Sequence, residues 1–453
     1  MTTVEERASH GRAVRALVPR SAHAEPAAAA GRDPVALIES ENATRLAELV
    51  PIRCGRMLAS PLAFFRGAAA VMANDLASRL ASGLTVQLSG DAHLLNFGGF
   101  ATPERNLVFD LDDFDETVGG PFEWDVKRLA ASLEIAGRER NFARTERSTA
   151  VQASVRSYRE AMRSFAAMGD LDVWYAHLDA QTMLERLRAE HDTELEKTLA
   201  RKVAKARSND GRRALATLAH RVDGKVEIVS KPPVIVPLAE LSDGAESDGH
   251  IRSVFQSYRR SLTRDRRVLL DRFRLVSVAR KVVGIGSVGT RCWLLLLLGR
   301  DQEDPLFLQV KEARPPTTSA RRTNHGRRVV EGQRLLQASS DIFLGWIRGE
   351  GDVDGERRDY YVRQLREWKM SLDPETILPR GLSRHGAACG WTLARAHARS
   401  GDRIAIAGYL GAGDAFDRAL TDFAYAYADL NERDHGAFAA AARAGRIAAV
   451  EGV

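Results

Sequence analysis

Residues 90–116, GDAHLLNFGGFATPERNLVFDLDDFDE, place seven carboxylates, a histidine and an asparagine within 27 positions. Like charges about 4 Å apart repel by roughly 4 kcal/mol at an effective dielectric near 20, so such a run in a partly desolvated place calls for a cation. A second set of residues lies further on, in VVGIGSVGTRCWLLLLL. There Gly284, Gly286 and Gly289 form G-x-G-x-x-G between two strand-like stretches, letting backbone amides approach a phosphate without a Cβ in the way. The stretch after the loop reads as strand, which disfavours a dinucleotide-binding turn into a helix. In LFLQVKEA, Leu306, Leu308 and Val310 alternate with Phe307, Gln309 and Lys311, so the lysine ends a strand on the face opposite the aliphatic residues. Acidic side chains, glycines and a lysine of this kind point to cation-assisted chemistry on a phosphate.

Asp91 and Asn96 are five positions apart, a spacing that in kinase-type phosphoryl transfer lets the aspartate accept the proton of the attacking hydroxyl while the asparagine holds magnesium. GDAHLLN is similar to the HGDxHxxN catalytic loop of aminoglycoside phosphotransferase-type kinases, and VFDLDDFDE to their IDFDD metal segment. PFEWDVKRLAAS resembles the next helix of those kinases, whose aspartate, here Asp125, braces the catalytic loop. Ser89 replaces the histidine that opens the pattern, and His93 matches its second histidine, a structural residue. The resemblance implies ATP and Mg2+ as cofactors, with Asp91 catalytic and Asn96 with Asp110 or Asp113 on the metal; Asp112 is the further candidate. It implies phosphate contacts from Lys311 and the glycine loop. Glu331, in RRVVEGQRLLQ, would hold the lysine, and Gln364, in YYVRQLREW, would stand near the adenine edge. Gln309 occupies the place of the small residue that roofs the adenine. The block 90–132 also resembles the signature of an uncharacterised bacterial family, domain-of-unknown-function family 2252, which implies no reaction. One alternative is the haloacid-dehalogenase phosphatase motif, FDLDD, with Asp110 as nucleophile and Asp112 as acid/base. Phe114 stands where that motif wants Thr or Val, and no βαβ series comes after it.

These parts must be positioned by a chain of 453 residues, 44% apolar, which is enough for a sizeable core. The longest purely apolar run, Trp293–Leu298, is far short of the roughly 20 residues of a membrane-spanning helix. Three cysteines without paired spacing argue against a disulfide framework or structural zinc, and a reducing cytoplasm is expected. The net charge of +6 includes basic clusters at 260–281 and 314–330. Aromatics are not interleaved with them, so nucleic acid is not expected as a partner, and the short apolar runs give no expectation of a membrane. Arg66, in FFRGAA, either reaches the site or packs its helix, and Arg321 to Arg328 either cover phosphates or form a solvated loop.

Composition divides the chain into a disordered segment 1–40, a helical lobe 41–270 carrying the acidic stretch, a β-rich nucleotide lobe 271–370, and helices 371–453 that complete the helical lobe. Within the second part, LTVQLSG and NLVFDLDDF read as strands joined in hairpin fashion through GGFATPER. GKVEIVSKPPVIVPL reads as an extended connector, followed by one basic helix from about Ile251 to Arg272. The expected fold class is α+β, a bilobal protein-kinase-like fold in circularly permuted order, the catalytic loop preceding the nucleotide lobe. WTLARAHARSGD resembles the helix that precedes the catalytic loop in phosphotransferase kinases. The expected function is ATP- and magnesium-dependent phosphoryl transfer to a hydroxyl of a small-molecule acceptor. The alternatives are a nucleotide-binding pseudokinase or regulatory module, and transfer of AMP.

Overall fold

The structure, a computed structural model, describes residues 2–26, 31–241, 244–316, 324–347, 356–365 and 367–452, the side chains of residues 186 and 244–252 excepted. The chain begins with a helix, α1 (Val4–Leu17), where disorder was the expectation. Thr3 and Glu6 close a capping box on its first turn. Its Gly11 lies so near the Ala405 carbonyl that a Cβ would stand 1.9 Å away. Tertiary packing through this small residue orders the segment, and a polar composition does not reveal it. Four short helices follow: α2 (Pro34–Asn42), α3 (Val50–Leu58), α4 (Pro61–Gly67) and α5 (Ala69–Ala77). Proline occupies the first turn of α2, α3 and α4, where its missing N–H costs no intrahelical bond.

β1 (Thr85–Leu88) pairs antiparallel with β4 (Val118–Pro121), and between them β2 (Phe97–Ala101) and β3 (Leu107–Leu111) form a hairpin. The hairpin therefore differs from the expected one, because FGGFA, read as loop, is itself a strand. Gly98 and Gly99 leave room for Met370, which pairs alongside from a short strand, Met370–Ser371. Two long helices, α6 (Phe122–Glu139) and α7 (Arg144–Ala166), come next.

A six-stranded antiparallel sheet carries the second half. Its strands are β5 (Ile235–Pro237), β6 (Arg274–Lys281), β7 (Cys292–Leu298), β8 (Pro305–Ala313), β9 (Gly345–Ile347) and β10 (Asp359–Gln364), in the order β9-β10-β8-β7-β6-β5. The helix α8 (His325–Leu336) connects β8 to β9. The stretch read as a connector thus supplies an edge strand, β5. The basic stretch forms two helices, Gly244–Ser261 and Arg264–Leu270. Leu306, Leu308 and Val310 bury one face of β8 against Leu295, Leu297 and Tyr258, each aliphatic contributing about 1.5–3 kcal/mol relative to exposure. The period of two then sends Gln309 and Lys311 to the other face.

Three helices close the chain, α9 (Pro379–Ser400), α10 (Arg403–Leu410) and α11 (Ala415–Arg443). They share one apolar core with α6 and α7, so residues from both ends of the sequence form the helical half of an α+β protein. Gly390 brings α9 against α7, since a Cβ there would lie 2.1 Å from the Ser154 carbonyl. Among the described residues no helix is long and apolar enough to cross a membrane. Cys54, Cys292 and Cys389 are buried free thiols.

Candidate active site

A cavity of about 370 Å³ opens where the acidic stretch, the helices α2 to α5 and the glycine loop meet. Asp91, His93, Asn96, Asp113 and Asp115 line it on one side, and Gly284, Gly286 and Ser287 on another. The loop that presents Asp91 is fixed by its backbone. Gly90 has φ +84°, and a Cβ there would stand 2.3 Å from the Glu116 carbonyl, so glycine alone fits. Asp125, in the first turn of α6, accepts the amides of Ser89 at 2.7 Å and Gly90 at 3.1 Å. His397 of α9 stands 3.2 Å from the same carboxylate, its Nδ1 bonded to the Tyr158 hydroxyl at 2.9 Å.

Arg128, one turn after Asp125, donates Nε to Asp91 Oδ1 at 2.8 Å and also holds the Phe65 carbonyl at 2.7 Å. Asp91 Oδ2 is then the freer oxygen, 3.7 Å from His93 Nε2 and beyond hydrogen-bond distance. His93 Nδ1 accepts the Leu95 amide at 3.2 Å, which puts its ring proton on Nε2. Burial, with Arg66 and Arg128 nearby, pushes this imidazole well below its ordinary range, so it is neutral. Asn96 donates Nδ2 to the Asp91 carbonyl at 2.8 Å.

The acidic run divides at the end of β3. Asp110 is buried, ion-paired with Arg395 of α9, and accepts the Ala338 amide at 2.8 Å. It does not line the cavity, which removes the metal role expected of it and the nucleophile role of the phosphatase alternative. Strand geometry is the reason: residue 110 still obeys the alternation of β3 and points toward α9, and the chain turns toward the cavity only beyond Leu111. Asp115 is ion-paired with Lys311 and accepts the Tyr361 hydroxyl at 2.6 Å and the Ser287 hydroxyl at 3.2 Å. Asp113 Oδ1 stands 3.9 Å from Lys311 Nζ. Burial and the neighbouring Asp115 push Asp113 up. Burial opposes ionisation of Asp115 too, but Lys311 outweighs it and holds that carboxyl below its usual range. Burial likewise disfavours the Lys311 ammonium, and Asp113 and Asp115 overcome it and keep the amine charged.

Lys311 therefore stands behind the acidic wall, joined to it directly. Glu331 does not meet it. That glutamate is exposed and pairs with Arg327, four residues earlier on α8, at 2.7 Å. The face of α8 turned to the site carries Arg328, which donates to the Asp115 and Arg314 carbonyls, each at 2.8 Å. Positions 328 and 331 are neighbours one turn apart on α8, but Arg328 is half-buried against the site and Glu331 is exposed, turned outward to Arg327. Gln364 also lies elsewhere. It lines a second cavity of about 280 Å³ that shares no lining residue with the first, and its amide donates to Asp341 at 3.2 Å. Arg321 lies outside the described residues.

The glycine loop is tied down through its carbonyls. Arg45 donates to Gly286 at 2.8 Å and Val288 at 2.7 Å, and Arg56 to Gly284 at 2.6 Å. Gly289 does not line the cavity; with φ +86° it packs against the Arg45 side chain. Sequence reasoning passed over Arg128, although its place three residues after Asp125 puts both on one helix face. It also passed over Tyr361, which pairs in register with Lys311 across β10 and β8, and Arg363, which pairs with Gln309 and donates to it at 3.0 Å. For Arg45 and Arg53 no sequence signal existed.

A cavity edged by an acidic loop, a glycine loop and a row of arginines thus defines this α+β protein. The chain belongs to a family described as an uncharacterized protein conserved in bacteria (DUF2252), whose model matches residues 45–441. No curated protein and no solved structure matches it. The match covers all the lining residues of the cavity except Glu41 and Thr44.

Proposed function

We propose that this chain is an ATP- and magnesium-dependent phosphotransferase acting on a hydroxyl of a small molecule, on a protein-kinase-like fold in permuted order. The observation that carries this reading is that Asp91 and Asn96 share one cavity with Gly284 and Gly286, although 188 positions separate Asn96 from Gly284. The order of parts in the sheet supports it. The glycine loop joins β6 to β7, the lysine lies on the next strand, and a helix follows, the succession that kinases use.

The donor set fits a hard cation. Among the described residues no three His, Cys, Asp or Glu side chains converge tightly enough to hold a metal alone. Magnesium needs no such cage, because it takes one or two protein oxygens and completes its shell with phosphates and water. Asp113 and Asn96 supply such oxygens at the cavity wall. When bound, the ion neutralises charge on the donor phosphates. The lysine partner departs from the kinase pattern: Asp115 of the acidic loop takes the role expected of a helix glutamate.

In this reading Asp91 Oδ2 receives or orients the proton of the acceptor hydroxyl. Arg128 fixes that carboxylate through its other oxygen, and a neutral His93 adds no charge to compete for it. Asp125 holds the loop by the amides of Ser89 and Gly90. Lys311 and the glycine loop attend the donor phosphates. Mg-ATP at about 100 times its dissociation constant should raise stability by about 2.7 kcal/mol, read as a thermal shift. Asp91→Asn should keep that shift and lose turnover. Transfer of label from the γ position to an acceptor in a cell extract supports phosphoryl transfer, and transfer from the α position would replace it with AMP transfer. Binding without either leaves a nucleotide-binding module, and no shift at all ends the proposal.

A further inference from the structure

The cavity has a second wall of opposite charge. Arg45 after α2, Arg53 of α3 and Arg66 of α4, with Arg314 after β8, line it together with the acidic residues. Their bonding is unequal. Arg45 is used by two carbonyls of the glycine loop. Arg53 is used by the Asn42 side chain at 2.6 Å, the Gly67 carbonyl at 2.8 Å and Glu41 at 3.1 Å. Among the described residues the Arg314 side chain reaches only the Glu41 carbonyl, at 3.5 Å. Arg66 makes no hydrogen bond or ion pair among the described residues, and its Nε is buried without an acceptor.

Arg66 is half-buried and lines the cavity with its Nε unanswered, so an anion entering the cavity would find charged donors there without a protein partner. The local field agrees. Burial and the neighbouring Arg53 push Arg45 down to about 9, and burial lowers Arg66, with Asp91 and Glu139 opposing it only through space. Position identifies which anion. The Arg66 carbonyl lies 3.5 Å from where a Cβ of Gly286 would stand, at the tip of the glycine loop, while its side chain shares the cavity with Asp91 and acts on His93. The lysine, the glycine loop and the Asp113–Asn96 pair are assigned to the donor. Arg66 is left on the side where the acceptor hydroxyl must approach Asp91.

We propose that Arg66 is an oxyanion-recognition residue of the acceptor site, so that the acceptor carries a phosphate or carboxylate group beside the hydroxyl that reacts. The assignment to the acceptor rests on the phosphotransferase reading; the anion site itself does not. Arg314 lends a second positive charge, and Arg45 and Arg53 hold the wall in shape.

The test uses the full chain and inorganic phosphate as probe, titrated calorimetrically in the presence of magnesium and a saturating β,γ-imido analogue of ATP, which fills the donor positions. Wild type should bind phosphate. Arg66→Ala should weaken that binding by about tenfold or more, since a charge-assisted bond to phosphate is lost, and Arg66→Lys should fall between them. Both variants should keep wild-type affinity for the analogue, which also shows that they are folded. Equal phosphate binding in wild type and Arg66→Ala overturns the inference. So does a loss of affinity in Arg66→Ala for the analogue but not for Mg-ADP, which would assign Arg66 to the donor's terminal phosphate. If the analogue fails to bind even to wild type, the phosphotransferase reading falls alone, and phosphate titration of the ligand-free proteins still decides the anion site.

Discussion

Asp110 and Asp115 stand five positions apart in one acidic run, and each is met by a buried cation, yet only one of the two pairs opens on a cavity. Asp110 and Arg395 are sealed between β3 and α9, with the Ala338 amide satisfying the second carboxylate oxygen. Asp115 sits at the cavity edge with the buried Lys311 behind it, where Tyr361 and Ser287 add two hydroxyls and Asp113 leans on the same ammonium. A sealed pair has no water to replace a missing partner, whereas a pair at a cavity edge does. Motif matching favours the first aspartate of the run, and the side-chain environment separates a structural carboxylate from those exposed to ligand.

That contrast is sharpest in stability. Asp110→Ala should cost about 3–5 kcal/mol in urea unfolding, because Arg395 would be left buried and unpaired. A cost below about 1 kcal/mol would mean that the pair is not sealed. A third carboxylate, Asp341, extends the comparison to a site without a contacting cation. It lines the second cavity, accepts the Phe343 amide at 2.6 Å and the Gln364 amide at 3.2 Å, and burial raises it to about 6. A raised carboxyl keeps its proton longer in the folded state than in the unfolded chain. Its effect is therefore most favourable below about pH 4 and is lost as pH rises toward about 6. The wild type should lose about 2 kcal/mol relative to Asp341→Asn over that window, after allowance for partial exposure to the cavity. A constant difference between the two proteins from pH 4 to 6.5 would show that Asp341 titrates normally.

The contrast also marks what the sequence could tell. The β-rich character of 271–370 was legible because LFLQVKEA and WLLLLL alternate or run apolar between glycine punctuation, and periodicity of that kind survives folding. That Asp91 and the glycine loop would meet was an expectation drawn through the resemblance to kinases, and both line one cavity. Two things were not legible. The orientation of Asp110 depends on where β3 ends, and strand ends are set by β2, whose FGGFA lacks an ordinary strand composition. The helix α1 depends on a glycine meeting a carbonyl nearly four hundred positions away. Arg66 stood out in FFRGAA as an arginine that either reaches the site or packs its helix, and the sequence could not decide between them, because a missing partner is a property of space and leaves no local pattern.

At the cavity edge, breaking the pair from its cationic side should cost less. Lys311→Met should lower stability by only about 1 kcal/mol, since Asp115 keeps the Tyr361 and Ser287 hydroxyls and can draw on water, and it should weaken Mg-ATP binding by about tenfold. A stability loss as large as that of Asp110→Ala would erase the distinction between the two pairs, and unchanged nucleotide affinity would detach Lys311 from the donor site. Glu331 supplies the smallest effect. Its exposed pair with Arg327 is an i,i+4 contact, worth about 0.3–0.5 kcal/mol. Glu331→Ala should therefore leave both stability and Mg-ATP affinity close to wild type, measured side by side with Lys311→Met. A large fall in nucleotide affinity would mean that α8 rotates on ligand binding to bring Glu331 under β8, and that Asp115 holds Lys311 only until the nucleotide arrives.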